Sequence, residues 1–279
     1  MSILLPYPPG EPARLTDALA EPPADLPRGD DLDRSLEDHG KRLERLQARL
    51  GAEGKRALLV VLQGRDASGK DGTIRRVFAG LNPAQCSVTS FKRPSVAELR
   101  HDYLWRVHQA VPARGTIGVF NRSHYEDVIA ARVHGLVPEP VWQRRFEHLN
   151  GFETMLNDEG VVIRKFLLHV SKSEQRRRFE ERLRDPEKNW KFEVGDLAER
   201  ALWDRYTEAY EEVLRRCSTV RAPWYVVPAD RNKPRDLLIL EVLVETLEEM
   251  NPQYPQPDPE VLKAVRAARG QKPPAAEMI

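Results

Sequence analysis

Seven residues, Gly64-Arg65-Asp66-Ala67-Ser68-Gly69-Lys70, spell G-x-x-x-x-G-K directly after the apolar run Ala57 to Leu62. Glycines at that spacing let backbone N–H groups close around phosphate oxygens, and the helix expected from about Gly69 to Phe78 adds partial positive charge at its N-terminus. Lys70 adds a full one. Arg65, Ala67, Ser68, Gly69, Asp71 and Gly72 complete the set of candidate phosphate contacts. Asp66 is out of place there, because a carboxylate about 4 Å from a phosphate oxygen costs roughly 4 kcal/mol per charge pair at an effective dielectric near 20. A magnesium ion between the two reverses the sign, since it takes hard oxygens from one or two carboxylates plus substrate phosphates. Asp66 is therefore expected to be a metal ligand. Asp71 stands where such loops usually carry a magnesium-binding hydroxyl, and two readings stay open: metal ligand or helix cap.

A second cluster follows the run "GTIGVF": Asn121-Arg122-Ser123-His124-Tyr125-Glu126-Asp127. The end of such a strand brings an acid to the metal in P-loop enzymes, yet here the first polar residue is an amide. Asn121 can hold a metal-bound water without contributing charge. Arg122 can clamp a phosphate bidentately, and Glu126, one helical turn on, can face the same cleft. Asn121 and Glu126 are the further metal candidates beside Asp66. Glu126 and Asp127 also suit a helix N-terminus, and His124 and Tyr125 read as packing residues.

Between Arg164 and Lys191 ten basic residues stand against five acidic ones. Arg178 and Arg182, four apart, share a helix face that can close over phosphates, and Asp185-Pro186 ends that helix. A lid over about 176–196 is expected, with Lys188 and Lys191 as further phosphate contacts. Lys92 and Arg93, in "SFKRPS", sit after a strand at the same edge of the sheet. Arg106 can point there too, although Leu104, Trp105 and Val107 mark its helix as mainly packing.

These groups need a frame. Leu32, Leu36, His39, Leu43, Leu46 and Leu50 recur at four-three spacing, one apolar face of a helix leading into the core. Beyond it, "RALLVVLQ", "CSVTSF", "GTIGVF", "VVIRKFLLHV" and "WYVVP" are strand candidates separated by stretches long enough to cross over. Apolar strands without polar alternation, spaced by amphipathic helices, predict a parallel sheet covered on both faces, with ligands at the strands' carboxyl ends. Residues 1–30 read as an irregular, proline-rich arm, 31–250 as the single core, and 251–279 as a loosely attached tail.

Composition narrows the partners. The 279 residues carry 44 basic and 43 acidic side chains, a formal net charge of +1, so no bulk field collects polyanions and any anion site is local. Nucleic acid is an unfavoured partner, because stacking aromatics near the basic stretch stop at Trp190. Cys86 and Cys217 lie far apart in no ligand-like spacing, which argues against a disulfide framework or structural zinc and favours buried thiols. The longest apolar run is about six residues, and "MSILLPYPPGEP" lacks the pattern of a signal peptide, so a cytoplasmic protein is expected.

Taken together, "GRDASGKDG", "FNRSHYED" and "RRFEERLRDPEKNWKF" resemble the motifs of the polyphosphate kinase 2 family, and "DYLWRVHQ" and "APWYVVPAD" extend the likeness over roughly residues 32 to 255. The resemblance implies an α/β fold: a three-layer α/β/α P-loop sandwich related to thymidylate kinases, with a helical lid. It implies reversible, magnesium-dependent transfer of the terminal phosphoryl group of inorganic polyphosphate to nucleotides. By motif, Asp66 is similar to the family's magnesium-binding loop aspartate, Lys70 to its phosphate-binding lysine, Arg122 to the arginine after the second strand motif, and Arg178 and Arg182 to its lid arginines. Members that accept only diphosphates usually begin the second motif with Asp and carry Asn at the position of Glu126. With Asn121 and Glu126 this chain resembles instead the class III branch, which phosphorylates both monophosphates and diphosphates. AMP, ADP and ATP, with guanine nucleotides as further candidates, are the implied partners, along with a homo-oligomeric assembly. Two rivals stand beside this reading: an ATP-dependent nucleoside monophosphate kinase, and a non-catalytic polyanion or nucleotide sensor.

Overall fold

In the computed structural model, which describes residues 2–187, 189 and 194–270, the chain folds around one five-stranded sheet. In chain order the elements are α1 (Gly29–Glu53), β1 (Ala57–Gln63), α2 (Lys70–Val77), β2 (Cys86–Ser90), α3 (Trp105–Gln109), β3 (Ile117–Asn121), α4 (Ile129–Val133) and α5 (Glu139–Asp158). There follow β4 (Val161–His169), α6 (Lys172–Arg184), α7 (Val194–Ala201), α8 (Trp203–Cys217), β5 (Trp224–Pro228), α9 (Asn232–Met250) and α10 (Pro259–Gly270). All five expected strands are present, every pairing is parallel, and the spatial order is β2-β3-β1-β4-β5.

The central strand shows why the sequence folds this way. Every residue of β1 is buried. Leu58, Val60 and Leu62 point into a core shared with α1, α2 and α9, while Ala57, Leu59 and Val61 point into another shared with α4, α5 and α8. A strand apolar on both faces needs helices on both, which gives the three layers. The leucine stripe of α1 is the expected one: Leu32, Leu43, Leu46 and Leu50 are buried, and His39 is half-buried with Nδ1 2.8 Å from the Ser35 carbonyl.

Two expectations are corrected. β2 is not covered on both faces; as an edge strand with one neighbour it leaves Ser87, Val88 and Ser90 exposed. Of the two thiols Cys217 is buried and Cys86, on that same edge strand, only half-buried. The proline-rich arm is irregular yet firmly attached: Tyr7 N–H donates to the Trp224 carbonyl, the Leu15 N–H to Glu211, and Leu4 and Leu26 enter the core beside α9. No described helix is long and apolar enough to cross a membrane.

Candidate active site

The loop between β1 and α2 departs from the sheet at Gly64. That residue has φ 151°, and a Cβ there would lie 2.6 Å from the Leu168 carbonyl oxygen. Gly69, at φ 97°, closes the loop; a Cβ would stand 2.1 Å from an Arg235 guanidinium nitrogen. Both motif glycines are thus required by close approach as well as by left-handed backbone.

Between them each carbonyl is held from outside. Lys70 Nζ donates to the Gly64 carbonyl (2.7 Å) and the Arg65 carbonyl (3.1 Å), Gln175 Nε2 to that of Asp66 (3.0 Å), Arg178 Nη1 to that of Ala67 (2.8 Å) and Arg235 Nη1 to that of Ser68 (3.2 Å). All five consecutive carbonyls are thus taken, and within the loop the Ser68 N–H donates to the Arg65 carbonyl at 3.1 Å. The first turn of α2 offers unpaired N–H groups, since no side chain caps that helix. This closes one open question. Asp71 is not the cap; Gly69 holds that position, and Asp71 Oδ1 instead accepts from Asn121 Nδ2 at 2.7 Å.

Asp66 and the second cluster meet. Arg122, at the carboxyl end of β3 with φ 62°, donates to Asp66 Oδ1 at 2.6 Å and stands 3.5 Å from Glu126 Oε1, which also accepts from Gln63 Nε2 at 3.0 Å. The Arg122–Asp66 pair is about a third exposed on both sides. Pairs with that much water contribute about 1 kcal/mol or less, so an incoming anion or cation can exchange with either partner. Lys70 is different. Burial, reinforced by the charge of Arg122 and only partly countered by Asp66, pulls its ammonium down to about 8. It is a cation short of negative charge.

These groups border a cleft of about 880 Å³ lined, among the described residues, by seven cationic side chains and four carboxylates. Among the expected residues, Asp66, Ala67, Gly69, Lys70, Asp71, Gly72, Lys92, Asn121, Arg122, Arg178 and Arg182 all line it. Ser68 is buried behind the loop, and Glu126 reaches the cleft only through Arg122. Arg93 is exposed and does not line the cleft; Arg106 turns back, donating to the Lys92 carbonyl at 2.8 Å. Arg65 is buried on the other side of the loop, its guanidinium 4.0 Å above the Trp203 ring and bonded to Thr207. There it borders a second cavity of about 20 Å³ that shares Asp66 and Arg122 with the main cleft. Lys188 and Lys191 lie outside the described residues.

The expected lid starts as α6, which ends at Arg184 just before Asp185-Pro186. Arg178 lines the cleft and also pins this turn to the loop: besides Ala67 its guanidinium serves the Ala229 and Asp230 carbonyls. The basic surplus between Arg164 and Lys191 is not one surface. Arg164 bonds Thr246, and Lys165 is fully buried in β4. Sequence reasoning missed Arg76 and Arg177, which line the cleft, and Arg235, which reaches the loop from α9. Arg76 carried a signal, lying six residues after Lys70 in the same short helix.

Asp66 and Asp71 are hard oxygen donors on one wall, and among the described residues no three His, Cys, Asp or Glu gather into a metal cage. That donor set fits a hard divalent ion completed by phosphate oxygens and water.

The family profile described as Polyphosphate kinase 2 (PPK2) matches residues 28–255. The chain belongs to the polyphosphate kinase 2 family. A protein from Meiothermus ruber named AMP/ADP-polyphosphate phosphotransferase is 59% identical over 218 residues, 78% of this chain and 82% of its own. One from Rhodopseudomonas palustris named ADP-polyphosphate phosphotransferase is 45% identical over 243 residues, covering 83% and 84%. The crystal structure of polyphosphate kinase 2 from Arthrobacter aurescens has a TM-score of 0.84 at 38% identity, covering 88% of this chain and 89% of that one. The polyphosphate kinase 2 match runs from the start of α1 to just past α9, so it includes every element that borders the cleft.

Proposed function

We propose that the protein transfers the terminal phosphoryl group of inorganic polyphosphate to nucleoside monophosphates and diphosphates, reversibly, converting AMP and ADP to ATP. The observation that carries this is the cleft itself: a surplus of three positive charges among the described lining residues, in about 880 Å³ around a phosphate loop, suits a long polyanion better than a single phosphate. The Meiothermus ruber relative supports acceptance of both AMP and ADP, as do Asn121 and Glu126 in the second motif.

The chain's own groups do the following. Loop amides and the first turn of α2 cradle the polyphosphate end, with Lys70 and Arg182 facing the charge that spreads over the transferred group. Arg122 gives up part of its pairing with Asp66 to a phosphate. Magnesium held by Asp66, with Asp71, Asn121 or Glu126 as further candidates, would neutralise the crowded oxygens of donor and acceptor. An acceptor phosphate oxygen, already ionised at neutral pH, forms the new P–O bond as the bridging P–O bond of the polyphosphate breaks in line. No general base and no covalent enzyme intermediate are needed, so positioning and electrostatics carry the rate.

The test is product analysis after mixing the purified protein with polyphosphate, magnesium and either AMP or ADP, without ATP as donor. ADP and ATP should form from AMP, and ATP from ADP. No product with either acceptor would overturn the reading; activity on ADP alone would remove the monophosphate half of it. Guanine nucleotides as further acceptors, a homo-oligomer of the 32.0 kDa chain and a cytoplasmic location belong to the same reading. Parallel assays with GMP and GDP, light scattering and cell fractionation read them separately.

A further inference from the structure

The turn that presents Arg122 and Glu126 has an inner face. Ser123 caps a short helical turn, its Oγ accepting from the Tyr125 N–H, and the next two side chains go into the core with no exposure at all. Both end on one carboxylate. Glu153 Oε1, on α5, lies 3.1 Å from His124 Nε2 and accepts from the Tyr125 hydroxyl at 2.8 Å. Its other oxygen accepts from Lys165 Nζ at 2.6 Å, and Lys165 also donates to the Tyr125 hydroxyl (2.8 Å) and the Cys217 carbonyl (2.7 Å). All three ammonium protons have acceptors. On β4 the side chains of Val161, Ile163 and Leu167 pack into the core on this side of the sheet, and Lys165 stands in that same alternating row, at a position where an aliphatic residue would fit.

An ion pair with both partners at 2% exposure or less costs more to desolvate than apolar packing of the same volume, so such pairs are poor stabilisers. What the pair does supply is direction. A carboxylate and an ammonium with every bond assigned accept the His124 ring and the Tyr125 hydroxyl in only one placement, whereas an apolar pocket would tolerate several. The same short turn carries Arg122 in left-handed backbone and Glu126 beside it. We propose that the Glu153–Lys165 pair, with Tyr125, is a positioning device that locks the β3 exit turn so that Arg122, flanked by Glu126, faces Asp66. The inference rests on the proposed reaction for its kinetic readout and extends it to residues that touch no substrate.

The test uses the full-length protein. Tyr125→Phe removes one hydroxyl and keeps the ring, and the double variant Glu153→Leu/Lys165→Met replaces the pair by apolar residues of similar size. Measured per folded molecule, each should lower kcat about tenfold or more while KM for polyphosphate stays within about twofold, as expected when reacting groups are misaligned but the binding cleft is intact. A merely structural role would reduce the folded fraction and leave kcat per folded molecule unchanged; kcat within about twofold of the parent in Tyr125→Phe would overturn the proposal. If the double variant does not fold, Tyr125→Phe decides alone. A second readout needs no turnover and so separates this proposal from the assigned reaction. Asp66→Asn and Arg122→Met should be coupled in the stability of the parent and uncoupled in the Tyr125→Phe background. Undiminished coupling there would refute the positioning role even in a protein that never touched polyphosphate.

Discussion

The phosphate loop and the β3 exit turn are neighbours of similar length, each containing one non-glycine residue in left-handed backbone, Ala67 at φ 60° and Arg122 at φ 62°. They are held in opposite ways. The loop is gripped by its main chain, with five carbonyls taken by Lys70, Gln175, Arg178 and Arg235. The turn is gripped by its side chains, His124 and Tyr125 plugged into the core. Main-chain anchoring frees N–H groups to bind a ligand that slides or varies in length, because any phosphate presents the same oxygens. Side-chain anchoring frees alternate side chains, Arg122 and Glu126, to meet at one point. That point is the Arg122 guanidinium, which Glu126 flanks within the turn and which meets Asp66 of the loop.

Cutting that contact should have the largest effect. Asp66→Asn keeps size and hydrogen bonding but removes the charge that pairs with Arg122 and would hold the metal. Loss of one preorganised electrostatic group costs about 100- to 1,000-fold in kcat. Because Asp66 also organises Arg122, the fall should reach at least the upper end of that range, while circular dichroism and the melting temperature stay near those of the parent. Retention of most of the turnover would mean that the two regions merely sit side by side.

Loosening the loop's grip comes next. Arg235 and Asp236 are paired at 2% exposure or less, and Arg235 holds the Ser68 carbonyl. Arg235→Met leaves Asp236 paired with Arg76 and bonded to Thr73, so no buried charge is stranded and the cost should be about 1–3 kcal/mol, that of hydrogen bonds lost from a buried charged group. Chemical denaturation should show a loss of that size, together with weaker polyphosphate binding. A variant that lost stability but bound polyphosphate as tightly as the parent would show that the loop keeps its shape without this anchor.

The same contrast governs how much could be read from the sequence. Gly64, Gly69 and Lys70 announce the loop because its geometry is local: a strand end, a spacing and a helix start. The five strands were legible for the same reason, each a short apolar run bounded by breakers. Asp66 was legible as an anomaly of charge. The anchors were not. Arg235 acts on Ser68 across 167 positions, and Glu153 and Lys165 act on Tyr125 across 28 and 40. Nothing local marks Lys165 as buried, so it counted toward a basic surface on which it has no part. Arg65 and Arg178 were read as phosphate contacts because guanidinium in a phosphate motif usually is one. Only the fold reveals that the first stacks on Trp203 away from the main cleft, and that the second, which does line it, also serves backbone carbonyls.

A smaller effect concerns Lys70, which holds two loop carbonyls and lines the cleft. Lys70 is lowered from 10.5 to about 8 by burial and by Arg122. The folded protein therefore releases this proton before the unfolded chain does. Between about 8 and 10.5 the unfolded state binds more protons, so the cost of the buried charge is relieved and this contribution to stability rises with pH across that window. Polyphosphate binding has the opposite sign, since it favours the charged amine. Titration calorimetry should show affinity falling from pH 7 to pH 9 in the parent, with a flatter profile in Lys70→Met. Equal slopes in the two proteins would assign the pH dependence elsewhere.

The smallest effect calibrates the others, because it involves neither region's anchors. Lys92 lines the cleft and its neighbour Arg93 does not, although sequence position treats them alike. A charge about 6 Å from a phosphate in a water-like dielectric contributes about 0.7 kcal/mol, roughly threefold in affinity. Lys92→Ala should weaken polyphosphate binding by about that factor, more at low salt than at high, and Arg93→Ala by less than about half of that in energy because ions screen its longer reach. Equal effects from the two would mean that the cleft attracts its polyanion by general surface charge. A clear difference would show that even the solvated rim of the site acts by placement, as the loop and the turn do.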